Sequence, residues 1–213
     1  MSGGWSWPTL FLLGAYHGIN PGMGWLFAVA LGMQEKRSWA VVRSLAPITL
    51  GHALAIGVVI GLAGLARIVV PLNYLKLTVA AGLILLGVYR IVRSRHFHWG
   101  GMQIGFGELT LWSFLMASAH GAGFMVLPVV MVLPASAAAA GHHTHMQGAG
   151  LQDPLTGLLA TLVHTLGYLT FTAVIALVVY YKLGLALLRR AWWNLDLVWA
   201  SALIVTGLVA LAI

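Results

Sequence analysis

The side chains able to do chemistry in this sequence are histidines. There are nine, with eight methionines and no cysteine, so disulfides, thiolate metal ligands, iron–sulfur clusters and cysteine nucleophiles are excluded at once. His17, His52, His120 and His164 each stand inside a long apolar run. An ionisable side chain in such a run is costly, faces the interior of a helix bundle and is by default a functional hypothesis. Neutral imidazole suits Ni, Co, Zn and Cu, whereas Mg and Ca prefer oxygen. Glu35, Glu108, Asp153 and Asp196 all fall near the edges of the apolar runs, so a cation among the histidines would be held by neutral ligands. Weak retention of that kind suits transport, which needs release as well as binding, better than a structural metal site. Asn20, three residues after His17, would share its helical face and add an oxygen ligand.

The four histidines recur in order. Ala15-Tyr16-His17-Gly18 in the first run answers to Ser118-Ala119-His120-Gly121 in the fourth, and Thr49-Leu50-Gly51-His52-Ala53-Leu54 in the second answers to Thr161-Leu162-Val163-His164-Thr165-Leu166 in the fifth. The alternative to a repeat is coincidence among small apolar residues, and the matched histidines argue against it. Three runs per half would send the second half into the membrane from the opposite side, as an inverted repeat whose substrate lies near the midplane.

These residues must be positioned by membrane helices. Of 213 residues 61% are hydrophobic and 7% charged, too few charges to cover a soluble globule. Spans of roughly 20 apolar residues are predicted at about 8–33, 44–66, 71–92, 109–134, 155–181 and 194–213. The fold class expected is an all-α integral membrane protein of about six transmembrane helices in two inverted three-helix repeats, residues 1–107 and 108–213, with a histidine-containing loop at 135–153. At roughly 1.5 Å per residue, the four histidines fall in the middle third of the bilayer. Gly18, Pro21, Gly22 and Gly24 should break or kink the first span and leave backbone carbonyls free, a feature tolerated at that depth only where protein or a water-filled cavity satisfies it. Glycine packing between helices is the plainer reading of that run, and for Gly57, Gly61 and Gly64 it is the reading adopted.

The net charge of +7 lies in loops and gives no reason to expect nucleic acid. Lys36, Arg37 and Arg43 fill the first connection, Arg90, Arg93 and Arg95 the third, and Lys182, Arg189 and Arg190 the fifth, while the fourth has neither Lys nor Arg. Odd connections are therefore expected in the cytoplasm and both termini outside it, in a multi-pass protein of the cell membrane. The N-terminal run lacks a basic n-region and reads as a retained span. Several tryptophans fall near span ends, as interfacial indoles do. The stretch Leu183–Trp193 can alternatively form a short amphipathic surface helix. His142, His143 and His145, in an Ala/Gly-rich loop, form a short His-rich tract that would collect cations at the outer face, or else are a solvated polar loop. His96 and His98 read as interfacial side chains near lipid headgroups.

At these residues the chain resembles the NicO-type nickel/cobalt transporters of the lysine-exporter superfamily, related to HupE/UreJ-type permeases. Their first span carries an H-A-L-x-P-G-H-G-K-like signature, matched here by His17, Pro21, Gly22 and Gly24, with Met23 in place of the second histidine and Trp25 in place of the lysine. The resemblance implies two three-helix repeats, frequent dimerisation and movement of divalent metal or another small solute. Met23, a softer thioether ligand, would shift preference toward copper.

The function expected is a non-enzymatic permease or exporter for a transition-metal cation, divalent or monovalent, with His17, Asn20, Met23, His52, His120 and His164 as its ligands. No G-x-x-x-x-G-K loop supplies ATP chemistry. One alternative is an electron-transfer protein in which these histidines are axial ligands of b-type haem. Another is an accessory subunit of a larger membrane complex. Expected partners are the metal ion, the lipid bilayer and a second copy or larger assembly.

Overall fold

A computed structural model describes residues 6–92, 105–134, 149–183 and 195–212, and these are helical apart from short connections. The helices are α1 (Ser6–Ile19), α2 (Trp25–Glu35), α3 (Ser38–Val69), α4 (Leu72–Val92), α5 (Phe106–Ala119), α6 (Ala122–Met131), the single turn α7 (Ala149–Gln152), α8 (Pro154–Val178) and α9 (Leu195–Ala212). A 3-10 turn, Pro21–Met23, joins α1 to α2, and a π turn, Val179–Leu183, extends α8. The His142, His143 and His145 tract, His96, His98, and the candidate surface helix beyond Leu183 lie outside the described residues.

Three helical stretches are long and apolar enough to cross a membrane: Ser38–Ala66, Leu72–Tyr89 and Pro154–Lys182. The pair α5 and α6, bent by 62° at its junction, makes a fourth candidate as a broken span or a re-entrant loop. The first apolar run is divided into helices of 14 and 11 residues, and the last contributes a shorter apolar helix, Ala200–Leu211. Burial is arranged as lipid requires. Leu54, Val58, Leu62, Leu65 and Ile68 expose one face of α3, while His17, His52, His164 and Thr172 are fully buried.

Local sequence explains the ends. Pro21 disfavours helical backbone at the residue before it, and Asn20 is extended (φ −68, ψ 121). Gly24 then takes φ 138, a conformation open to glycine, before Trp25 starts α2. At the second break His120 ends α5 and Gly121 adopts φ 72. Lys36, left-handed at φ 53, turns the chain from α2 to α3, and Glu35 pairs with Arg43 across that turn. α3 therefore begins at Ser38, earlier than the span edge expected at 44. Asp153 caps α8 by accepting from the amides of Leu155 and Thr156 at 3.2 Å. The end of the fourth connection is not featureless: α7 packs back on α3, and the Gly150 amide donates to the Leu133 carbonyl at 3.2 Å.

The helices associate in close pairs. A Cβ on Gly14 would collide with the His164 carbonyl, one on Gly18 with the Tyr168 carbonyl and one on Gly167 with the Phe11 carbonyl, so α1 and α8 touch backbone to backbone. Gly51 allows the same approach between α3 and α5, where Ser113 donates to the Ile48 carbonyl at 2.6 Å. Gly87 and Gly207 do so between α4 and α9. α8 also packs on α3. α1 and α3 thereby both pack against α8, and side chains from the three helices meet in a shared interior.

Candidate histidine site

That interior holds three of the four expected histidines. His17 from α1, His52 from α3 and His164 from α8 each have 0% exposure. Their ring centroids lie 5.5 Å apart for His17–His52, 5.0 Å for His17–His164 and 5.5 Å for His52–His164. The Nε2 atoms of His52 and His164 are separated by 3.4 Å. Two imidazole nitrogens bound at about 2.0–2.1 Å to one tetrahedral ion stand roughly 3.3–3.4 Å apart, so this pair has ligand spacing.

Tautomers follow from the backbone. His17 Nδ1 lies 2.7 Å from the Leu13 carbonyl, and His120 Nδ1 lies 2.8 Å from the Met116 carbonyl. A carbonyl only accepts, so each Nδ1 carries the proton and each neutral ring keeps its lone pair on Nε2. This is how metal-binding histidines are commonly oriented. A purely structural histidine would satisfy both nitrogens. His52 does not: its Nδ1 is buried without a hydrogen-bond partner, as is the hydroxyl of Thr49 one turn earlier. Such an atom costs about 1–3 kcal/mol, a cost that packing alone gives no reason to bear.

The fourth histidine, His120, is buried at the α5–α6 break and lies within electrostatic reach of His17. Its Nε2, the Asn20 Oδ1 and the Met116 methyl all lie within 4.0 Å of where Gly22 would carry a Cβ. Asn20 departs from expectation. Helix α1 ends before it, so it does not continue the His17 face, and its Oδ1 accepts from the Gly22 amide at 2.9 Å. Met23 is buried at 2% in the hydrophobic core, and its carbonyl accepts from the Tyr168 hydroxyl.

The broken segment does not leave its carbonyls free, as the sequence suggested. Trp25 Nε1 donates to the Ile19 carbonyl at 2.9 Å, Thr172 faces the Gly18 carbonyl at 3.5 Å, and Tyr168 holds that of Met23. Side chains from α2 and α8 take the place of the missing helical bonds. Sequence reasoning missed Tyr168, Thr172 and Ser113. The available signal was a polar stripe, Thr161, His164, Thr165, Tyr168 and Thr172, at helical spacing within an otherwise apolar run. Tyr168 also stacks on His52, with centroids 3.9 Å apart and planes 6° from parallel.

Of the four acids, Glu35 is engaged by Arg43, Glu108 by the Gly105 amide and Asp153 by the start of α8, and Asp196 stands in the first turn of α9. The cluster is thus built from neutral groups. Among the described residues no group of three or more His, Cys, Asp or Glu side chains is arranged as a metal centre; two nitrogens stand at ligand spacing, and the His17 ring stands edge-on to both of their rings. Comparison with known protein families, curated proteins and solved structures gives no match for this chain.

Proposed function

We propose that the chain is a multi-pass membrane permease for a transition-metal cation, with His17, His52 and His164 as its inner ligands and His120, Asn20 and Met23 along the ion's path at the helix breaks. The observation that carries this reading is the buried three-histidine cluster, drawn from three helices, with two Nε2 atoms at the spacing of ligands to one ion. Imidazole without carboxylate favours Ni, Co, Cu or Zn and makes release easy. The resemblance to nickel/cobalt transporters points the same way.

The reading takes six crossings: α1 with α2, α3, α4, α5 with α6, α8, and α9. The pairing of helices supports the two inverted repeats. Exchanging the halves turns the α1–α8 contact into the α5–α3 contact and maps α4–α9 and α3–α8 onto themselves. It also carries His17 to His120 and His52 to His164, with one helix break at Asn20, two residues past Gly18, and the other at His120-Gly121 itself. A small ion is favoured over haem because haem needs its axial imidazoles held apart by a porphyrin, whereas His52 and His164 are in direct contact.

The test is metal analysis of detergent-purified protein with a visible spectrum, followed by Ni2+, Co2+, Zn2+ and Cu+ flux into proteoliposomes. The expected result is about one ion per chain, with flux falling in His52→Ala and His164→Ala by more than the roughly 10- to 100-fold that loss of an outer-shell partner costs. Unchanged binding and flux in both variants refutes the reading, and a Soret band would reassign the histidines to haem.

A further inference from the structure

We infer that Tyr168 is a positioning residue that couples ion occupancy of the His52–His164 pair to the broken segment Asn20–Gly24, an inference that rests on the permease reading. Tyr168 touches both parts. Its ring lies flat on His52 at 3.9 Å, and its hydroxyl donates to the Met23 carbonyl, the last residue of the 3-10 turn.

The surroundings decide where motion goes. The backbone of Tyr168 belongs to the α1–α8 pair, in which Gly14, Gly18 and Gly167 bring main chain against main chain. That contact has no slack. On its other side Tyr168 meets a joint: its hydroxyl is 3.0 Å from where Gly24 would carry a Cβ, and Gly24, at φ 138, links the turn to α2. Hinges are short segments that absorb backbone rotation between rigid elements. An ion seated between His52 and His164 aligns the His52 lone pair toward itself, and the ring cannot tilt without moving the tyrosine stacked on its face. With α1 and α8 locked together, the displacement passes through the hydroxyl to the Met23 carbonyl and so to α2. Occupancy would therefore be read by the orientation of α2 relative to α1, one way to open the site on one side.

The experiment is hydrogen–deuterium exchange of residues 19–25 in the purified full chain, with and without saturating Co2+, whose visible absorption reports its coordination. In the wild type, Co2+ changes exchange in this segment. Tyr168→Phe keeps the ring on His52 and loses the hydroxyl, so Co2+ is bound within about threefold of wild-type affinity with the same spectrum, while residues 19–25 exchange about tenfold faster and no longer respond to Co2+. Tyr168→Leu loses both contacts, and Co2+ affinity falls by about 10- to 100-fold. A merely structural tyrosine would raise exchange in Tyr168→Phe but leave its response to Co2+ intact, and that outcome overturns the inference. So does a wild-type chain that binds Co2+ without any change in residues 19–25, a measurement that needs no variant to fold. Should the wild-type chain bind another of the four ions instead, that ion replaces Co2+ in the exchange measurement; a wild-type chain that takes up none of Co2+, Ni2+, Zn2+ and Cu+ removes the permease reading on which the coupling rests.

Discussion

His52 is stacked on one face by Tyr168 and approached by His164 through Nε2, yet its Nδ1 has no hydrogen-bond partner. An imidazole in that state weakens the ion-free fold relative to an apolar side chain of similar size. His52→Leu is therefore expected to unfold in metal-free detergent at a temperature equal to or above the wild type, a difference of up to about 1–3 kcal/mol, while losing metal flux. A large drop in its thermal midpoint without added metal would instead mark His52 as a packing residue. The four histidines were legible in the sequence because charge-capable side chains stand out in apolar runs. Tyr168 was not, because an aromatic residue in such a run reads as core until its hydroxyl is seen on Met23. Trp25 is the reverse case. It stood out as a departure from the transporter signature, and in the structure it serves locally, its indole holding the Ile19 carbonyl where α1 stops.

Between α1 and α2 the Gly/Pro-rich run announced a break, and Pro21 and Gly24 supply its two physical causes, an extended residue before proline and a positive φ. How the broken ends are satisfied was beyond sequence reasoning, because Tyr168 and Thr172 are far away in the chain and reach the segment only through the α1–α8 contact. The same limit applies to the second break, where a lone His120-Gly121 pair gives less warning than a proline and the bend is nonetheless 62°. The glycines divide by what lies next to them. Gly24→Ala must place a side chain at φ 138 and push it into Ile48, so a loss of at least about 1–3 kcal/mol is expected. Gly57→Ala meets nothing within 4 Å among the described residues, on the exposed face of α3, and should gain about 0.5–1 kcal/mol of helix stability. Detergent thermal melts of the two variants check both signs; equal effects would mean that the backbone at Gly24 is not constrained as described. For Gly57 and Gly61 the packing expected from sequence is not met among the described residues, whereas Gly64 does meet a neighbour, the Leu151 carbonyl of α7.

Across the whole molecule, contacts between elements sort the connections onto two ends. Gly64 near the end of α3 meets Leu151 of α7, which brings the connection after α3 and the one before α8 to the same end. Gly32 near the end of α2 meets Tyr180, which brings the α2–α3 turn beside the end of α8. Lys36, Arg37, Arg43 and Lys182 belong to this second end, and Arg67 and Lys76 flank the first. Basic residues near span ends are retained on the cytoplasmic side, so the α2–α3 turn and the end of α8 are expected inside and the connection between α3 and α4 outside. The natural sequence has no cysteine, which allows single labels to be read without background. Lys36, Pro71, Pro154 and Lys182 are all exposed and stand at helix ends. In intact cells a membrane-impermeant maleimide should react with Pro71→Cys and Pro154→Cys and spare Lys36→Cys and Lys182→Cys, with the pattern reversing in inside-out vesicles. Labelling of Pro71→Cys and Lys36→Cys from the same side would mean that α3 does not cross the bilayer, and the inverted repeat would fall with it, since α3 and α8 exchange under that symmetry. Labelling of the two pairs from opposite sides but with the sense inverted would leave the repeat standing and overturn only the charge-based orientation.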